Sequence, residues 1–135
     1  MPRQLTILVT EDNATLRDIV ARYLVRQGYH VRTARNGKVA LDILATEEVH
    51  LLLLDLRMPE IDGFAVLRQL GEKRRGRLPY VIVMSASAAE ADRGKIEELR
   101  GDDYLPKPFL LSHLFERVLE IEHSLRRGEW PRPSF

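Results

Sequence analysis

Leu51-Leu52-Leu53-Leu54-Asp55 decides the reading of this chain. Four consecutive leucines suit a strand buried on both faces, as the centre of a parallel sheet requires. A carboxylate follows at once. Then comes Leu56-Arg57-Met58-Pro59-Glu60-Ile61-Asp62-Gly63, a loop punctuated by proline and by Asp-Gly. Ligands of open parallel sheets sit beyond the carboxyl ends of the central strands, so Asp55 stands where chemistry is expected.

Toward the N-terminus, Leu5-Thr6-Ile7-Leu8-Val9 reads as a second buried strand, ending in Thr10-Glu11-Asp12-Asn13. Asn13 suits a helix cap. Leu16, Ile19, Val20, Tyr23 and Leu24 recur at helical spacing and are expected on one buried face, with Gly28 as the stop. Tyr29 to Ala34 alternates as a short edge strand does, and Asn36-Gly37 reads as a turn. A helix from about Lys38 to Glu47 directs Ala40, Ile43 and Leu44 inward.

Toward the C-terminus, Phe64 to Leu70 reads as a short helix and Lys73 to Arg77 as a basic connection. Tyr80-Val81-Ile82-Val83-Met84 is a strand ended by Ser85-Ala86-Ser87. The helix after it, to about Leu99, is weak. Ala88, Ala91, Ile96 and Leu99 form its core side, and Gly94 in its middle costs about 1 kcal/mol relative to alanine. Asp103 to Lys107 is a last short strand, and Pro106 within it marks a sheet edge. A final helix runs from about Leu111 to Arg127, and the proline-bearing tail Gly128 to Phe135 is expected to be extended.

Strands alternate with helices five times over, which implies an α/β fold: a five-stranded parallel sheet, doubly wound, with five helices. The flavodoxin-like strand order 2-1-3-4-5 is expected, with a site at the ends of the first and third strands. The length of 135 residues suits one domain. A net charge of +1 gives no bulk attraction to nucleic acid or to membrane, and neither is expected as a direct partner. The absence of cysteine excludes disulfides and thiolate chemistry. With apolar runs of four to five residues and no signal-peptide pattern, a cytoplasmic location is expected.

At the strand ends this topology gathers Glu11, Asp12, Asp55, Ser85 and Lys107. Three carboxylates packed together repel unless a cation neutralises them. Oxygen ligands on a partly open site suit Mg²⁺, with Mn²⁺ as the substitute. Lys107 and Ser85 suit a phosphoryl group, and a carboxylate is a competent nucleophile toward phosphorus.

The stretches Leu5 to Asn13, Asp55 to Gly63, Ser85-Ala86-Ser87 and Asp103-Tyr104-Leu105-Pro106-Lys107-Pro108-Phe109 resemble the motifs of the response-regulator receiver domain, over residues 4–127. The resemblance implies a domain at 4–127 followed by a tail or linker stub at 128–135. It implies phosphotransfer to Asp55 from a histidine kinase or phosphotransfer protein. It assigns Mg²⁺ to Glu11, Asp12, Asp55 and the backbone carbonyl of Arg57, and the phosphoryl oxygens to Ser85, the Ala86 N–H and Lys107. It implies a cis bond before Pro108 that orients Lys107. It also implies a switch in which Ser85 moves and the Tyr104 ring turns inward, reshaping the face of the fourth helix, fifth strand and fifth helix. That face would engage a target protein, an output domain or a second copy of the chain.

Arg57, Arg100-Gly101 and Leu110 depart from the commoner family pattern. His113 and His123 read as solvent-facing. The apolar positions of the last helix exceed the stripe a core requires, so Phe115 or Leu119 is expected at a partner surface. Two other readings stand beside the switch: an aspartate-nucleophile phosphatase or phosphotransferase, and a degenerate receiver acting as a constitutive interaction module. Against the first, Arg57 occupies the place of a second acid. A flavin-binding protein is disfavoured because Glu11 and Asp12 would repel its phosphate.

Overall fold

The computed structural model describes residues 4–71, 77–86, 90–99 and 101–132. Its elements alternate strictly: β1 Thr6–Thr10, α1 Ala14–Arg26, β2 His30–Ala34, α2 Gly37–Thr46, β3 Leu51–Asp55, α3 Gly63–Leu70, β4 Tyr80–Ser85, α4 Glu90–Glu98, β5 Asp103–Pro106 and α5 Leu111–Arg126. The five strands are parallel in the order β2-β1-β3-β4-β5. β3 is central and every residue of it is buried, as the leucine run demands. The edges are β2 and β5.

Side chains alternate across the sheet, so each strand feeds two cores. Leu8, Leu52, Leu54, Val81, Val83 and Tyr104 meet α2, α3 and Ile96 of α4 on one face. Ile7, Val9, Leu51, Leu53, Tyr80, Ile82 and Met84 meet α1 and α5 on the other. Adjacent residues of β5 therefore separate, with Tyr104 toward α4 and Leu105 toward α5.

Three expectations need correction. Ile19 falls on the apolar spacing of α1 yet is 47% exposed, because Val20 and Leu24 already bury that helix against the sheet. Asn36-Gly37 and Asp62-Gly63 are not free turns. Asn36 caps α2 by accepting the Val39 N–H, and Asp62 caps α3 by accepting the Ala65 N–H, each at 2.9 Å. The tail, read as extended, folds back: Trp130 lies on Tyr80 with ring centroids 5.5 Å apart, Pro131 is buried, and the Arg132 carbonyl accepts from Arg117.

Leu110 stands at the N-cap of α5 without a side-chain cap, and His113 and His123 are exposed. α4 carries Gly94 exposed and Ile96 buried. The expectations for the basic loop through Arg75, for Ser87, Ala88 and Arg100, and for the end of the tail lie outside the described residues, as does the side chain of Ala91.

Candidate functional site

The parallel register carries β1, β3 and β4 to the same edge, so Thr10 pairs with Leu54 and Asp55 with Met84. Glu11 leaves β1 buried, its N–H bonded to the Ala34 carbonyl at 3.0 Å, while Asp12 is exposed at the rim. Asp55 ends β3 at 4% exposure. Carboxylate oxygens of Glu11, Asp12 and Asp55 lie within 4.8 Å of one another.

Lys107 answers this charge. Its Nζ lies 2.6 Å from Glu11 Oε1 and 3.5 Å from Asp55 Oδ1. The Lys107 N–H holds the Ser85 carbonyl at 2.8 Å, which ties the end of β5 to the end of β4. The Lys107–Pro108 bond is cis, the form the resemblance implies. Ser85 is fully buried and Ala86 is exposed just beyond it. Arg57 points its N–H at Asp55 Oδ1, at 3.2 Å, and is exposed.

Burial pushes the Asp55 carboxyl up to about 6, and the adjacent Glu11 carboxylate pushes the same way through hydrogen bonding and charge; Lys107 and the Arg57 N–H oppose them. Burial pulls the Lys107 ammonium down, but Glu11 and Asp55 outweigh it and raise the group above its usual range. Three acids against one ammonium leave a site short of positive charge. Among the described residues the donor set is oxygen only, and Glu11 Oε2 is buried with no hydrogen-bond partner. Both features fit a small hard cation.

Two glycines set the site's backbone. A Cβ on Gly63 would stand 2.5 Å from the Asp55 carbonyl oxygen and 2.7 Å from Leu56 Cα. A Cβ on Gly37 would stand 2.6 Å from the Ile61 carbonyl oxygen. The segment from Leu56 to Asp62 is thus gripped between the starts of α2 and α3. Its left-handed residue is Glu60, at φ 65°, and not a glycine.

Tyr104 is buried with its ring already inward, and its hydroxyl faces the Ser85 carbonyl at 3.4 Å. Phe115 and Leu119 are half-buried. Phe115 packs edge-on against Tyr23 of α1 and against Tyr29, at 6.3 and 6.5 Å.

Sequence reasoning missed three residues. Arg17 Nη1 donates to the Glu11 carbonyl at 2.8 Å, from a position on α1 that reads as solvated. Thr10 buries a hydroxyl without a partner among the described residues, although it reads as one more strand residue. His50 opens β3 at the opposite edge, its Nδ1 accepting the Thr6 N–H at 2.9 Å.

A doubly wound parallel sheet with an acidic cluster and a lysine at its carboxyl edge narrows the class of protein, and relatives resolve it further. The family model described as response regulator receiver domain matches residues 7–119. Response regulator RR06 of Streptococcus pneumoniae serotype 2 is 37% identical over 114 residues, covering 84% of this chain and 51% of that protein. A CheY-like receiver domain protein from Methanospirillum hungatei superimposes with a TM-score of 0.85 at 22% identity, covering 93% of this chain and 98% of that one. Response regulator TrrA from Thermotoga maritima, solved with Mg²⁺ and a beryllium fluoride, has a TM-score of 0.76 at 28% identity, covering 87% and 99%.

This chain belongs to the response regulator receiver domain family of two-component signalling. Members are switches that work with histidine kinases and output domains. The chain spans about half the length of the curated relatives it matches. No helix among the described residues is long and apolar enough to cross a membrane.

Proposed function

We propose that this domain takes a phosphoryl group onto Asp55 from a phosphohistidine of a kinase or phosphotransfer protein. The change then passes to the face of α4, β5 and α5, which controls a partner protein or an output domain. The observation that carries the reading is the contact set at Asp55. A buried carboxylate faces Lys107 at 3.5 Å, inside a cluster of three acids whose charge one ammonium does not balance.

A carboxyl held at about 6 is still mostly ionised at neutral pH, and burial leaves it thinly solvated. Its attack on phosphorus forms an O–P bond and breaks the N–P bond of the donor. The electron pair goes to the imidazole nitrogen, which takes a proton from solvent. Lys107, the Ser85 hydroxyl and the Ala86 N–H are assigned to the phosphoryl oxygens. Glu11, Asp12, Asp55 and the Arg57 carbonyl would hold Mg²⁺ (or Mn²⁺), which when bound neutralises charge on the transferring group. Ser85, drawn toward the phosphoryl group, favours the inward Tyr104 ring over an outward one, a population shift between two states. Pro108 keeps its assigned role in directing Lys107.

The test is intact mass after incubation with acetyl phosphate and Mg²⁺. The expected result is one added phosphoryl group on the wild type, dependent on metal and missing in Asp55→Asn. No adduct on the wild type, together with no binding of beryllofluoride, removes the proposal.

A further inference from the structure

Arg117 is the polar hub of the opposite flank. At 16% side-chain exposure it donates to Asp103 Oδ2, to the Tyr80 hydroxyl at 2.9 Å, to Glu120 Oε2 at 3.0 Å and to the Arg132 carbonyl. One side chain in mid-α5 thereby joins β5, the start of β4 and the tail. A guanidinium can do this because its donors lie in a fixed planar fork; an ammonium cannot span the same partners. Trp130 completes the dock by lying on the Tyr80 ring.

Asp103 connects this dock to the candidate switch. Its Oδ1 accepts the Tyr104 N–H at 2.9 Å, while Oδ2 takes Arg117. Tyr104 in turn reaches the Ser85 carbonyl. A continuous run of hydrogen bonds therefore leads from the end of β4, through adjacent residues on opposite faces of β5, to the tail backbone. The inward Tyr104 ring and the docked tail occur together, and the Asp103 carboxylate holds the Tyr104 backbone N–H on one oxygen and the guanidinium that grips the tail on the other.

We propose that Trp130–Arg132 is a latch whose docking on Tyr80 and Arg117 is coupled, through Asp103, to the inward state of Tyr104, so that a phosphoryl group at Asp55 tightens the tail. This rests on the phosphoacceptor reading of Asp55. Coupling of this kind is reciprocal: whatever tightens the tail when the site fills must weaken the site when the tail is lost. Whatever chain follows residue 132 would then leave the domain from a point held in one state and released in the other.

Trp130 is the only tryptophan, so its fluorescence reports the dock directly. The experiment titrates the whole chain with beryllofluoride and Mg²⁺, reading binding heat by calorimetry and acrylamide quenching of Trp130 in parallel. The expected result is binding with a lower quenching constant. In Arg117→Lys the heat should persist while the quenching response is lost. Ending the chain after Gly128 should weaken beryllofluoride at least about fivefold, with an unchanged circular dichroism spectrum. Binding heat with unchanged Trp130 quenching overturns the latch and leaves the reading of Asp55 intact. Absence of binding heat removes both.

Discussion

Asp55 is a liability in the metal-free protein, since its charge is buried beside Glu11 with only part of Lys107 to offset it. Replacing it by asparagine removes one of the crowded charges and keeps the shape. Asp55→Asn should therefore stabilise the metal-free domain by about 1–3 kcal/mol and abolish its response to Mg²⁺. Urea unfolding with and without metal checks both; an equal or less stable variant would count against this electrostatic account. Thr10 is a second residue held at a loss. Its hydroxyl is fully buried with no partner among the described residues, so Thr10→Val should add about 1 kcal/mol by the same measurement.

Among elements, the starts of the helices matter more than their lengths. The Asn-Gly and Asp-Gly pairs invite a turn reading because both residues tolerate left-handed backbone. Their glycines instead allow close approach, a tertiary fact that local chemistry does not carry. Gly63→Ala would drive a methyl group into the Asp55 backbone. It should cost about 2–4 kcal/mol and weaken Mg²⁺ binding at the same time, read by unfolding and calorimetry. Gly94 is the opposite case. It lies exposed in α4, and among the described residues outside its own turn nothing lies within 4 Å of where a Cβ would stand, so Gly94→Ala should stabilise by about 1 kcal/mol without touching metal affinity. Gly94 in α4 was legible because helix propensity is local; the service of Gly63 was not.

For the whole molecule, stability and metal binding must share one proton. Asp55 holds its proton up to about 6 when folded but only to 3.8 as an ordinary carboxyl. The folded chain thus binds more protons between those values, and this contribution is full at low pH and lost as pH rises through about 6. The gain in stability on Asp55→Asn should accordingly be larger at pH 7.5 than at pH 5, by on the order of 1 kcal/mol. Unfolding of both proteins at the two pH values isolates the effect, and an equal difference at both would contradict it. Mg²⁺ competes for the same carboxylate, so its affinity should fall as pH drops below about 6.

At this scale the fold was largely readable. The leucine run and the alternation of strands with helices follow from hydrophobic patterning, and Glu11-Asp12 stand at the end of the first strand so read. The meeting of Glu11, Asp12, Asp55 and Lys107 was readable too, because a parallel sheet carries strand ends to one edge. The tail was not readable. Its dock depends on Arg117, whose place on α5 looks like any solvated arginine until β5 supplies Asp103 and β4 supplies Tyr80.

The grip on the segment from Leu56 to Asp62 makes the site asymmetric. Gly37 bears on Ile61 and Gly63 on the Asp55 backbone, and neither position has room for a side chain. Under the proposed switch, a push delivered at Asp55 works like a vice with one fixed jaw: the displacement is expected at the other jaw, where β4, β5 and α4 meet. The direction in which a signal leaves this domain would then be decided less by the residues that move than by the two that leave no room.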